Sequence, residues 1–254
     1  METVAVKKTG KKLILLICAV LLTLSLGYTA AEEPAEDSLG AVGSIVVFGR
    51  YEQDGNEENG PEEIEWIVLD VKGGKSLLLS RYALDVQPYH TKSKKITWKD
   101  CSLRKWLNGE FLKAAFSKEE RKLILKTKVD NSRKQGYQKW KKTKGGKDTQ
   151  DKIFLLSYME ANRYFGTSFR GENSEEAMAQ LTEYAMRKGA DFPMLRRQEG
   201  DPAYGCWWLR SPGYVQVDAA VITSTGNVVD YNISSGETCV RPAMWVKPGK
   251  GISL

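Results

Sequence analysis

The chain has 254 residues, 38 basic and 32 acidic side chains and a formal net charge of +6. Residues 1–31 carry four of the lysines and one glutamate, leaving 34 basic against 31 acidic residues beyond them. Much of the basicity therefore belongs to an export signal, and nucleic acid is not an expected partner of what remains.

Lys7, Lys8, Lys11 and Lys12 form a basic head, and Leu13 to Leu26 an apolar stretch of 14 residues. A membrane span needs roughly 20. With Thr29-Ala30-Ala31 ahead of the acidic Glu32-Glu33, residues 1–31 read as a cleaved signal peptide, which places the protein outside the cell or at its surface. An uncleaved N-terminal anchor is the alternative and would be the one membrane attachment. Cys18 follows Ile17, where lipidation requires a small side chain.

Residues 32–43 read as an acidic spacer and 44–250 as a single domain with a sizeable core. Ser44 to Gly49 is a continuous β-branched run and predicts a strand. Glu65 to Val71 and Lys75 to Ser80 flank Lys72-Gly73-Gly74 and predict a hairpin, after a turn-rich loop at 52–63. Leu103, Trp106 and Leu107 recur on one helix face, and Asn108-Gly109 is expected to break that helix before a further turn at Phe111 to Phe116. Ser117 with Glu120 and Ser157 with Glu160 are capping boxes, the second opening a helix to Phe165. Ile153 to Leu156 reads as a buried strand, and Glu175 to Lys188 as a helix stopped by Gly189.

The last third returns to β. Cys206 to Arg210 and Ala219 to Thr223 read as strands. Ser224 to Asn227 turns the chain into Val228, Val229 and Tyr231, and Thr238 to Val246 is expected to close the sheet. Strands at both ends with helices between them predict an α+β class, in which an antiparallel sheet unites the N- and C-terminal strands. Cys101, Cys206 and Cys239 follow the signal segment. An odd number permits one internal bridge, and the expected one is Cys206–Cys239, at the two ends of the hairpin system.

Several pieces are shared with a known family: Phe48-Gly49-x-Tyr51, Ile64-Glu65-Trp66-x-Val68-Leu69, Ser102 to Asn108, Asp148 to Ser157, Trp207 to Gly213 and Val240 to Ala243. In these the chain resembles the domain-of-unknown-function family numbered six-two-seven-three, met in exported proteins of gut Firmicutes. Its ending is also similar to C-type lectin-like folds, in which the termini pair and a tryptophan-rich sheet supports a long-loop binding face. The resemblance brings no catalytic residue with it.

The residues themselves point away from chemistry. His90 is the single histidine, and neither it nor Cys101 sits in a nucleophile motif or a zinc spacing. Asp148 with Asp151, or Asp218 with Asp230, offer hard oxygen ligands, but no dense calcium loop is present, so no cofactor or metal is expected and calcium is the option to test. Formylglycine-generating enzymes share a lectin-like fold but use two closely spaced cysteines, which Cys206 and Cys239 are not.

Arg210, Arg241 and Trp207 read as structural. The expected function is non-catalytic binding of an extracellular glycan, cell-wall polymer or protein. Candidate contacts are Trp208, Tyr214, Gln216, Asp230, Tyr231 and Asn232, one of the paired tryptophans being core and the other exposed. A cell-wall-modifying or oxidase-like enzyme and a diversified surface display protein are the alternatives. Between Arg133 and Lys147, seven of fifteen residues are basic, with Tyr137 and Trp140 interleaved. This segment reads as a solvated loop.

Overall fold

The computed structural model describes residues 39–190, 202–250 and 252–253. The expected signal peptide and residues 32–38 of the spacer lie outside the described residues. No helix among the described residues is long and apolar enough to cross a membrane.

The first sheet begins with β1 (Ile45–Tyr51), β2 (Glu62–Val71) and β3 (Ser76–Ser80). Between β2 and β3, Lys72 and Lys75 exchange backbone hydrogen bonds while Gly73 and Gly74 take φ of +57° and +67°. Two successive positive φ values give a turn whose twist matches the strands it joins. The chain end supplies β11 (Ala243–Val246) and β12 (Ile252–Ser253), and the antiparallel order is β11-β3-β2-β1-β12. The sheet thus unites strands from both ends of the chain as expected, but β1 pairs with β12, Phe48 opposite Ile252, while the expected last strand contributes Ala243–Val246 beside β3. Gly49 breaks the β1 register at φ +74°, where a Cβ would lie 2.5 Å from the Phe116 ring and 2.6 Å from Ala115 O.

The second sheet has the order β4-β10-β7-β8-β9, built from β4 (Asp85–Val86), β7 (Trp207–Pro212), β8 (Asp218–Ile222), β9 (Val228–Asn232) and β10 (Cys239–Val240). The run from Thr238 to Val246 therefore does not close one sheet. It leaves the second sheet at Arg241 and enters the first at Ala243. Pro242 has no N–H to continue a ladder, and its carbonyl accepts from Ser80 N at 3.0 Å. The β3–β4 connection crosses alongside, with Leu84 N donating to Val240 O at 3.0 Å.

Helices occupy the middle of the chain, completing the α+β class. α1 (Ser102–Trp106) runs through a π-helical turn at Leu107–Phe111 into α2 (Leu112–Ala115), so Asn108-Gly109 widens the helix instead of breaking it. The reason is Asn108: its Nδ2 donates to Arg104 O and Ile153 O, and its Oδ1 accepts from the amides of Lys152 and Ile153. The same bonds explain why Ile153 to Leu156, although wholly buried, is not a strand. Only Phe154 bridges to Ala243, and side chains satisfy much of the remaining backbone.

Both capping boxes form, the first ahead of α3 (Glu120–Leu123) and the second opening α4 (Tyr158–Phe165). The helix expected over 175–188 does not form as one piece. A single turn at Glu175–Ala177 gives way to extended backbone, in which Leu181 N donates to Ala203 O at 2.8 Å, before Thr182 caps α5 (Glu183–Arg187). Sheet pairing there outweighs helical propensity. A two-stranded ribbon, β5 (Thr127–Val129) with β6 (Thr149–Asp151), carries the basic loop.

Candidate functional site

Alternation along β7 sends Trp207 and Trp208 to opposite faces, and both rings are fully buried. Trp207 Nε1–H donates to Ala177 O at 3.0 Å, and Trp208 Nε1–H donates to Gln87 O at 2.9 Å with Tyr89 packed edge-on at 5.7 Å. Both faces of this strand are covered, so the expectation of one exposed ring is corrected. Trp208 is core, not a ligand contact.

Both arginines expected to be structural are buried and bonded within the fold. Arg210 donates to Leu155 O and Asp130 O and forms a two-pronged ion pair with Glu160. Burial acts to raise the Glu160 carboxyl, but Arg210 and the donors at Ser157 outweigh it and hold the group below its ordinary range. Arg241 Nε–H donates to Ser80 O at 2.9 Å, and its guanidinium lies 5.0 Å over the Trp207 ring. Burial pulls its pKa down to about 9.

Cys101, Cys206 and Cys239, the cysteines among the described residues, are buried. Cys239 aligns with Trp207 in the parallel pair of β10 and β7, which turns Cys206 to the other face. Cys206 Sγ lies 3.7 Å from Tyr231 Oη, while Cys239 Sγ sits over Gly205. The expected bridge is accordingly not formed among the described residues, although Cys239 N donates to Cys206 O at 2.8 Å. Cys101 caps α1, accepting from Arg104 N, and burial pushes its thiol up to about 12. His90 Nδ1 accepts from Ser102 N, not from the thiol.

Of the remaining candidates, Tyr214, Gln216 and Asp230 come together at the β7–β8 connection. Tyr214 is 57% exposed and Val215 41%. The Tyr214 amide donates to Asp230 Oδ2 at 3.1 Å. Gln216 clips three distant segments together: its Oε1 accepts from Lys144 N at 2.8 Å, and its Nε2 donates to Ile96 O at 2.9 Å and Lys144 O at 3.0 Å. Beside it opens a cleft of about 560 Å³, walled by Lys95, Thr97, Lys142 and Thr143 as well as the clipped residues. Tyr231 is half-buried against Cys206, and Asn232 spends its amide on Ser93 and Ser234, away from this cleft.

Lys95, Thr97, Lys142 and Thr143 were missed because no local pattern joins residues 95–97 to 142–143. The basic loop was the one available signal. Its seven cations are exposed, but its aromatics point inward: Trp140 packs on Phe169 at 4.8 Å and Tyr137 on Tyr158 at 5.4 Å. Tyr137 and Trp140 root the loop and leave its lysines to form the surface.

The acidic options for calcium are engaged by the protein. Asp151 accepts from Trp98, Arg104 and Thr149, and Asp148 accepts from Asn131 N and pairs with Lys128. Burial, and then Asp230, raise the Asp218 carboxyl above its ordinary value. Glu52, Asp54 and Glu62 converge in the loop after β1, where Glu62 Oε2 accepts from the amides of Gln53 and Asp54. Asp85 accepts from Tyr51 Oη at 2.5 Å and Lys188 Nζ at 2.6 Å. Burial acts to lower the Lys188 pKa, but Asp85 outweighs it, so the amine stays charged.

No curated protein and no solved structure matches the chain. The profile of one family, described as a domain of unknown function (DUF6273), matches residues 73–248. That stretch runs from the β2–β3 turn through β11 and contains the whole second sheet, the basic loop and the cleft at Gln216. Covering well over half of the sequence, the match shows that this chain belongs to the DUF6273 family of domains of unknown function.

Proposed function

We propose that this protein is an exported, C-type lectin-like domain that binds a glycan non-covalently in the cleft beside Gln216. The observation that carries the reading is the Gln216 clip. It commits both ends of one amide to holding residues 96, 144 and 216 together, so the cleft is formed before any ligand arrives. A site organised in advance avoids part of the ordering cost of binding. Tyr214, exposed and next in sequence to the lining residue Val215, offers a ring face for a sugar, and Thr97, Lys95 and Lys142 in the lining offer donors to its hydroxyls. The lectin-like architecture is supported by the β1–β12 pairing, by the helices inserted between the two sheets' strands and by the tryptophan-rich second sheet. Binding is favoured over covalent catalysis because the Cys101 thiol and the Lys188 amine are held in unreactive protonation states.

The test is binding of the full-length chain to a broad glycan panel, with calcium and with chelator. The expected result is saturable, chelator-insensitive binding that Tyr214→Ala and the double variant Lys95→Gln/Lys142→Gln each weaken about tenfold. Unchanged affinity in both variants, with the fold intact by circular dichroism, would refute the site. Loss of binding in chelator would refute the metal-free reading.

A further inference from the structure

A second groove, of about 600 Å³, lies between the β2–β3 turn, the start of β5 and Trp245 on β11. Its walls come from three parts of the sequence. Lys72 and Lys75 flank the tight Gly73-Gly74 turn, Lys126 and Lys128 alternate along the start of β5, and Trp245 with Leu125 completes the lining. The walls are pinned to each other by backbone: Leu125 N donates to Trp245 O at 2.8 Å, Ile124 bridges Val246, and Trp245 pairs with Leu77 of β3.

The four ammonium groups are exposed, and among the described residues they meet little compensating charge. Lys128 pairs with Asp148 at 3.1 Å, while Lys72, Lys75 and Lys126 form no ion pair. Like charges gathered around one groove repel, and an anion placed among them relieves that repulsion. Trp245 differs from the fully buried tryptophans. Trp66, Trp98, Trp207 and Trp208 each donate the indole N–H to an acceptor inside the protein. Trp245 is only part-buried and lines the groove.

From this juxtaposition we propose that the groove is a binding site for a polyanionic glycan, a chain of sugars or polyols bearing repeated phosphate or carboxylate groups. The lysines supply hydrated point charges without the fixed fork of arginine, which suits a flexible chain of monoanions. The indole supplies an apolar face for the C–H surface of a sugar or polyol unit. A single-stranded nucleic acid is the less fitting polyanion, because it is held by a succession of aromatic side chains and the groove has one. The site is separate from the Gln216 cleft, with which it shares no lining residue.

The experiment titrates the full-length chain against fluorescently labelled poly(glycerol phosphate), polygalacturonate, neutral dextran and poly(U), at low and high salt. At least one of the two anionic glycans binds saturably, more weakly at high salt, and dextran does not. The preference between the two identifies the anion. Lys72→Gln/Lys75→Gln/Lys126→Gln lowers that affinity about tenfold through lost charge contacts. Trp245→Leu lowers it as well, and Tyr214→Ala leaves it unchanged.

The proposal is overturned if neither anionic glycan binds, if the triple variant binds as the parent does, or if poly(U) binds at least as tightly as either glycan. Circular dichroism secures the fold, and the three surface lysines can be exchanged even where Trp245→Leu perturbs it. Polymer binding lost in Tyr214→Ala but kept in the triple variant would overturn this groove and leave the Gln216 cleft standing.

Discussion

Replacing Glu160 by glutamine strips the carboxylate from Arg210, a guanidinium whose side chain is 2% exposed. Arg210 would keep the Leu155 and Asp130 carbonyls and one amide oxygen. Removing one partner of a buried ion pair costs about 3–5 kcal/mol, because the other charge remains desolvated. The Glu160 side chain is 32% exposed. Water reaches that end of the pair, and glutamine still accepts one bond, so the expected loss is about 2–3 kcal/mol. A domain of this size unfolds in urea with a slope of about 2 kcal/mol per molar, so the midpoint should fall by about 1–1.5 M. Tryptophan fluorescence reads it directly. The double variant Arg210→Met/Glu160→Gln should recover part of the loss, since it removes the stranded charge. The pH dependence has a definite sign. The Glu160 pKa is lowered in the fold, so its contribution is present above its unfolded value and is lost as pH falls through the folded one. A Glu160→Gln midpoint within about 0.2 M of the parent, or a double variant no better than the single, would refute the assignment of Arg210 as a charge held by Glu160.

Asp218 should behave in the opposite sense. Its pKa is raised in the fold, so the parent loses stability as pH rises from the unfolded value through the folded one, and Asp218→Asn should melt higher than the parent at pH 7 but not at pH 3. An equal difference at both values would exclude titration as the cause. Gly49→Ala places a Cβ 2.5 Å from the Phe116 ring on a backbone at φ +74°, and a loss of about 2 kcal/mol or more is expected by chemical denaturation. An unchanged midpoint would mean that β1 and α2 do not meet as described. Finally, Cys101 should resist iodoacetamide at pH 8 in the native protein and react once unfolded, and non-reduced peptide maps should contain no Cys206–Cys239 linkage. Detection of that linkage would overturn the face assignment of the two strands.

Much of the local structure was legible because it depends on neighbours in sequence. The β-branched runs of β1, β2 and β8, the glycine turn between Lys72 and Lys75, and the capping boxes at Ser117 and Ser157 all form where their residues predict. Arg210 and Arg241, each after an apolar strand residue and before a small residue or proline, and Trp207 on the same apolar strand as Arg210 were expected to be structural, and each is buried and donates to acceptors within the fold.

The failures share a different cause. Ile153 to Leu156 has a strand's composition, yet its backbone is satisfied by the side chains of Asn108 and Arg210, remote in sequence. Alternation at Trp207 and Trp208 said that the rings part company, but not that both faces would be covered. The same limit hid the Gln216 cleft and the Trp245 groove, each assembled from three separate segments.

By itself the sequence determined the class of the fold, the gathering of strands from both ends of the chain into one sheet and its family, since these follow from local patterning and from motifs kept in order along the chain. Only the tertiary structure decided that the main strands divide between two five-stranded sheets, which tryptophans are only part-buried and where cations gather. Those properties depend on what packs against a face, and the packing partner lies elsewhere in the sequence.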